Sequence, residues 1–260
     1  MIKLIVSDID GTLLPDGGHT LNPELIDTIL KLRAKGMQFA AASGRQWASI
    51  EKAFEPIKEK IFYLSDNGAC IGCCGRNLYA YTIRRELMFE VVRDARAMGL
   101  EIMLGGPDVA YLDSKDEVLY RLLIEGYRYR LERVDDLLKV EDDFIKASIF
   151  HPTDAEKAMV ELRERYTDRL KIVVSGSQWI DFSAPGVSKG EAVRHLQEDL
   201  NISPRETIAF GDQLNDIEML GRAYYSFAVA NARPEVRKAA RFQTDSNVND
   251  GVLKILKGLL

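Results

Sequence analysis

The residues of this 260-residue chain best placed to do chemistry stand near its start, where Asp8 and Asp10 are one residue apart and are followed by Gly11 and Thr12. Ile2 to Val6 is a short apolar run of the kind that forms a buried strand. Side chains two apart on a strand share a face, so the two carboxylates can converge where the strand ends. Gly11 lets the backbone turn tightly there and expose N–H groups. Two acids this close repel each other unless something holds them, and a hard cation such as Mg2+ suits an all-oxygen site of this kind. With such an ion present, one carboxylate can act as a nucleophile while the other handles protons. The alternative is a strand-end turn carrying two solvated acids.

Three further stretches repeat this logic. Ile208-Ala209-Phe210 is an apolar strand that ends in Gly211 and places Asp212, Asn215 and Asp216 within the next turn, adding oxygen ligands for a hard cation. Ser43 ends another apolar strand, Met37 to Ala42, and its hydroxyl and the N–H groups around Gly44 form a cradle for an anion. Lys189, in Ser188-Lys189-Gly190, opens a helix as a mobile point charge suited to phosphate. Taken singly, these are equally a turn serine, a helix cap and a solvated lysine. Together, at the ends of successive strands and the start of a helix, they read as one site.

The elements that must position these residues alternate. Asn22 caps a helix that starts at Pro23, runs to about Lys35 and is closed by Gly36. A strand at 37–42, a helix at 47–56 ending at Pro56, a strand at 61–64 and a hairpin through Gly75-Arg76 follow, after a loop from Leu13 to Leu21 that holds Pro15, Gly17 and Gly18. From Ser188 the alternation resumes, with helices over about 189–200, 214–220, 234–240 and 250–258 and strands at 207–210 and 226–229. This pattern predicts an α/β fold with a doubly wound parallel-sheet, Rossmann-like core, whose ligands bind at the carboxyl ends of the strands. Between the halves lies a block with its own alternation: helices over 85–98, 115–126 and 154–166, and strands near 100–104, 109–112, 146–150, 169–174 and 179–182. We read residues 84–186 as an inserted α+β domain, and residues 1–83 and 187–260 as the core.

Composition bounds the partners. A formal charge of −5 argues against a nucleic-acid surface or a polybasic membrane anchor, and no apolar stretch approaches the ~18–20 residues that span a bilayer. The first residues enter a strand at once, without a basic leader, so a cytoplasmic location is expected. Arginines at 128, 130 and 133 alternate with acids and read as a solvated face. The cysteines, Cys70, Cys73 and Cys74, are odd in number, and the histidines, His19, His151 and His195, lie far from them in sequence. Reduced thiols on a hairpin are expected.

The set Asp8-Ile-Asp10-Gly-Thr-Leu, Ser43-Gly-Arg, Ser188-Lys189-Gly and Gly211-Asp212-x-x-Asn215-Asp216 resembles the four motifs of the haloacid dehalogenase superfamily, in its Cof-type, sugar-phosphatase-like branch. Ser65-Asp66-Asn67-Gly68-Ala69 and the segment from Trp179 to Gly186 are similar to stretches typical of that branch, and the inserted domain is similar to its large cap. Ser43 replaces the commoner threonine, and Gln213 stands where glycine or serine is frequent. The resemblance implies a phosphatase acting on small phosphate monoesters, most of all sugar phosphates, through an aspartyl-phosphate. It makes Asp8 the nucleophile and Asp10 the general acid–base. It assigns Mg2+ to Asp8, the Asp10 carbonyl and Asp212, and the phosphate to Ser43, Gly44, Lys189 and Asn215, with Arg45 on the phosphate or the leaving group. Asp216 would stand behind the metal ligands, and the cap would read the leaving group. A phosphomutase of the same superfamily, or a phosphate-ester-binding regulatory protein without turnover, would use the same core residues.

Overall fold

The computed structural model describes residues 1–15, 18, 20–153, 155–175 and 178–260; Gly17, His19 and Asp154 lie outside the described residues. The chain opens with β1 (Leu4–Asp8), α1 (Pro23–Ala34), β2 (Gln38–Ala42), α2 (Trp47–Ala53), β3 (Phe62–Ser65), β4 (Cys70–Cys73) and β5 (Arg76–Ala80). It continues through α3 (Arg85–Ala97), β6 (Glu101–Gly105), β7 (Ala110–Leu112), α4 (Glu117–Arg121), β8 (Leu131–Arg133), β9 (Lys146–Phe150), α5 (Ala155–Tyr166), β10 (Lys171–Ser175) and β11 (Trp179–Ser183). It ends with α6 (Lys189–Leu200), β12 (Thr207–Gly211), α7 (Ile217–Gly221), β13 (Tyr225–Val229), α8 (Pro234–Ala239), β14 (Phe242–Thr244) and α9 (Gly251–Lys257). The residues divide into two compact units, Met1–Tyr79 with Ser188–Leu260, and Ala80–Val187. Ile83 belongs to the second because its backbone bridges to Phe144.

The first unit holds a sheet in the order β14-β13-β12-β1-β2-β3-β4-β5. The strands from β14 to β3 are parallel, and β4 returns antiparallel to β3. All five residues of β1 are buried, which a central parallel strand with both faces covered requires. The chain moves outward from β1 on one side through β2 and β3, and on the other through β12, β13 and β14. The carboxyl end of β1 is therefore the point where the winding reverses, the place where an open parallel sheet leaves a crevice. Leu25, Ile29 and Leu32 of α1, Val193 and Leu196 of α6, and Leu253 and Leu256 of α9 join one core with Leu4, Val6, Phe39 and Phe210. Fully burying a leucine of this kind is worth roughly 1.5–3 kcal/mol. The Asn22 side chain accepts from Glu24 N at 2.9 Å and so caps α1, with Pro23 at its first position.

The second unit is built on a largely antiparallel sheet, β10-β11-β9-β6-β7-β8. One face packs Ile102, Leu104, Ala147, Ile149, Ile180 and Phe182 against Met88, Val91 and Val92 of α3 and Leu162 and Tyr166 of α5. A second cluster joins Met103, Ala110 and Leu112 to Leu119 and Leu123, under α4 and the turn that follows it.

Several elements differ from expectation. The helix expected over 47–56 ends at Ala53, and Pro56 lies in the 3₁₀ segment Glu55–Lys60, because proline has no N–H to continue an α-helical ladder. The helix expected over 115–126 is α-helical only to Arg121 and widens to a π turn over Leu122–Gly126. The three-residue strands β8 and β14 were not expected, being too short to carry a periodic signal.

Candidate active site

Sheet register assembles the site. Asp8, the last residue of β1, is level with Ala42, the residue before Ser43, and Ser7 is level with Phe210, the residue before Gly211. The Asp8, Asp212 and Asp216 carboxylates, all buried, each offer an oxygen within 4.8 Å of the others. Lys189, the first residue of α6 and only 2% exposed, donates from Nζ to Asp8 and, at 2.7 Å, to Asp216 Oδ1. The other oxygen of Asp216 accepts the N–H groups of Asp212 and Gln213 at 2.9 and 3.0 Å. Asp212 is held by Thr12 Oγ1 at 2.7 Å and by Gln213 Nε2 at 2.9 Å. Ser188 caps α6, its Oγ accepting Glu191 N at 3.1 Å while donating to Glu218, and thereby fixes where Lys189 starts.

Two glycines make this closeness possible. A Cβ on Gly11, whose φ is +81°, would lie 2.3 Å from Asp212 Oδ2, and one on Gly211 would lie 2.5 Å from Asp216 Cβ. Both approaches are closer than any side-chain carbon tolerates.

The electrostatics are those of an incomplete charge set. Three buried carboxylates face one buried ammonium. Burial and the neighbouring Asp216 charge push the Asp8 carboxyl well above the usual carboxylate range, against the pull of Lys189. Burial also raises Asp212, against its hydrogen bond from Thr12. For Lys189, burial favours the neutral amine, and the Asp216 and Asp8 charges overcome it to leave the ammonium raised. One oxygen of Asp8, Oδ2, is buried without a hydrogen-bond partner among the described residues. A buried carboxylate oxygen is costly in that state, so this one suits a ligand the protein does not itself supply. Hard oxygen donors and an excess of negative charge fit a divalent cation of the Mg2+ type.

The other residues singled out from the sequence take distinct places. Asp10 is one-third exposed at its side chain and turns its carboxylate to Arg45, which grips it from Nε at 2.8 Å and Nη2 at 2.5 Å. Arg45 also donates to the Gly18 carbonyl at 2.8 Å. Ser43 is buried and its Oγ accepts from Arg45 N at 3.1 Å. Gly44 lies beside Asn67, whose amide would be 3.3 Å from a Cβ there. Asn215 donates from Nδ2 to Asn67 Oδ1 at 2.9 Å. Asp216, which the resemblance puts behind the metal ligands, has a carboxylate oxygen within 4.8 Å of those of Asp8 and Asp212. The sequence assigns no role to Thr12, Gln213 or Asn67, although Thr12 and Gln213 lie within the first and fourth motifs and Asn67 within a segment typical of the branch. All three cysteines are free thiols, and the Cys73 and Cys74 sulfurs lie 3.2 Å apart on the β4–β5 hairpin. No helix among the described residues is long and apolar enough to cross a membrane.

This fold and motif order define a family. The sequence model for haloacid dehalogenase-like hydrolases matches residues 5–256, and the chain belongs to that family. It is a phosphatase-type hydrolase of the Cof type. It is similar to the 5-amino-6-(5-phospho-D-ribitylamino)uracil phosphatase of Escherichia coli (strain K12), at 32% identity over 262 residues covering 100% of this chain and 96% of the relative. It is similar to a phosphatase of Bacillus subtilis (strain 168), at 26% identity covering 100% of both chains. A solved structure from Eubacterium rectale matches it with a TM-score of 0.94 at 35% identity, covering 100% of this chain and 99% of that one.

Proposed function

We propose that the chain hydrolyses small phosphate monoesters through an aspartyl-phosphate on Asp8, with Mg2+ bound at the carboxylate cluster. The observation that carries this reading is the buried Asp8 oxygen without a partner, set among two further carboxylates and one lysine. Asp8 attacks phosphorus and the ester oxygen leaves as Asp10 gives it a proton. Water then attacks the acyl phosphate while Asp10 takes a proton back. Arg45 fixes the Asp10 carboxylate by its two-point contact. Lys189, the Ser43 hydroxyl, the Gly44 N–H and Asn215 bind and orient the phosphate oxygens. Asp8, the Asp10 carbonyl and Asp212 would hold the cation, with Asp216 beside them. When bound, Mg2+ supplies positive charge that offsets the carboxylates and the phosphate dianion.

We assign the reading of the organic part of the ester to the inserted segment, residues 84–186, acting as a cap domain. Sugar phosphates and related polyol phosphates are the favoured class; the ribityl phosphate in the name of the Escherichia coli relative supports this. The chain is read as cytoplasmic, with no nucleic-acid or membrane partner.

Two measurements test the reading. A panel of sugar, sugar-alcohol and aromatic phosphate esters assayed for kcat/KM should rank the polyol phosphates highest. Activity should vanish in EDTA, return with Mg2+ and return poorly with Ca2+, whose longer, looser coordination misplaces the nucleophile. Full turnover in EDTA would sink the metal assignment.

A further inference from the structure

The turn that joins β3 to β4 has an unusual backbone. Asp66, Asn67 and Gly68 are consecutive left-handed residues, with φ of 49°, 58° and 92°. L residues normally visit this region singly, and here two with side chains do so in a row. Such a run persists only where its surroundings over-determine it. The surroundings are three of the segments assigned above to the phosphate. Asp66 N donates to Arg45 O at 3.0 Å and Asn67 N donates to Ser43 O at 2.9 Å, so the turn is tied at two points to the Ser43–Arg45 loop. The Asn67 side chain accepts from Asn215 and borders Gly44. A Cβ on Gly68 would lie 2.4 Å from the Ser188 carbonyl, so the turn also lies directly against the residue before Lys189.

We propose that the Asp66–Gly68 turn is the positioning element of the phosphate site, setting the spacing of the Ser43–Arg45 loop, Lys189 and Asn215, and that Asn67 is a positioning residue acting through Asn215. This rests on the reading that those residues hold the phosphate. A connecting turn alone would need neither the left-handed side-chain residues nor contact with three separate segments. The amide of Asn67 suits the place twice over: asparagine tolerates the left-handed backbone better than most residues, and its oxygen holds the Asn215 amide.

The experiment is a double-mutant cycle on Asn67→Gly and Asn215→Ala, with p-nitrophenyl phosphate and Mg2+. Glycine keeps the left-handed backbone and removes only the amide. Each single variant should lose about tenfold in kcat/KM, divided alike between kcat and KM, and the double variant should lose no more than either. Wild-type kinetics in Asn67→Gly, or losses that multiply to about a hundredfold in the double variant, would overturn the proposal. A second readout needs no turnover. The Asn215 side-chain amide resonance in a 15N-labelled protein should move in Asn67→Gly, which removes its acceptor, while asparagine side-chain amides remote from the turn stay in place. An Asn215 resonance unmoved by Asn67→Gly overturns the proposal. A wild-type protein without turnover would instead overturn the phosphatase mechanism, and the resonance would still decide the positioning role.

Discussion

In the first unit Lys189 is 2% exposed and meets two carboxylates, Asp8 and Asp216, with Asp212 close by; in the second, Lys146 is 8% exposed and stands 3.3 Å from Asp181, to which Ser148 also donates at 2.7 Å. Both are buried lysines on sheet proteins, yet the charge around them differs. Around Lys189 the carboxylates outnumber the ammonium, and an oxygen of Asp8 is left bare. At Lys146 the ammonium stands beside the Asp181 carboxylate, on a strand of an antiparallel sheet. The cause is the sheet. Parallel strands β1 and β12 deliver their carboxyl ends to one place, which brings Asp8 together with Asp212 and Asp216. Antiparallel β9 and β11 run opposite ways, and their polar side chains meet in pairs across the ladder. The surplus of buried carboxylate around Lys189 suits a hard cationic ligand.

Substitutions can break or sharpen that contrast. The largest effect is expected from Asp8→Asn, which keeps shape and removes the nucleophile. Turnover should fall to background, and mass spectrometry of quenched enzyme should find no phosphoryl adduct; an adduct on Asp10 would reverse the assignment. Asp10→Asn should cost the ~10²–10⁴ in kcat typical of a lost general acid–base, with less deficit in the first step for p-nitrophenyl phosphate, whose leaving group needs no proton. Single-turnover traces with p-nitrophenyl phosphate and with a sugar phosphate check this.

The two lysines should then separate cleanly. Lys189→Met leaves buried carboxylates uncompensated and should cost ~3–5 kcal/mol in urea unfolding, together with turnover. Lys146→Met should destabilise by roughly 1–3 kcal/mol and leave turnover of p-nitrophenyl phosphate within a few-fold of wild type. If it abolished turnover as Lys189→Met does, the contrast between the units would be wrong.

The smallest effect belongs to a half-buried group at the protein surface. The Lys3 ammonium, and then the Ser203 N–H and hydroxyl, lower the Glu206 carboxyl to about 2. A carboxyl depressed in the folded state adds stability above its unfolded range near 4.5, and that stability is lost as pH falls through about 2. The small Tm advantage of wild type over Glu206→Gln should therefore be constant near neutrality and narrow between these values. An advantage unchanged at pH 2 would contradict the pairing.

The sequence was most legible where function and fold share a signal. Asp8, Ser43 and Asp212 follow apolar strands, and the turn chemistry at Gly11 and Gly211 announces where those strands stop. Asp216 was harder, because its place in the cluster depends on a turn that folds it back onto the N–H groups of Asp212 and Gln213. The grip of Arg45 on Asp10 spans two loops and leaves no periodic trace. Asn67 lay in a recognisable segment, but its left-handed backbone and its hydrogen bond from Asn215 leave no trace in the sequence. In the second unit the strands were readable, and its loops offered no motif that could be matched residue by residue.

β1 pairs with β12 from Leu4↔Thr207 to Ser7↔Phe210, across some two hundred residues of chain. During synthesis Asp8 therefore leaves the ribosome long before Asp212 and Asp216 exist, and one side of β1 stays an open apolar edge until Thr207 has emerged. An unpaired strand edge of this kind is a template for wrong pairing while the second unit is being made. The mutual repulsion of the three acids arrives only with the strand that seals that edge.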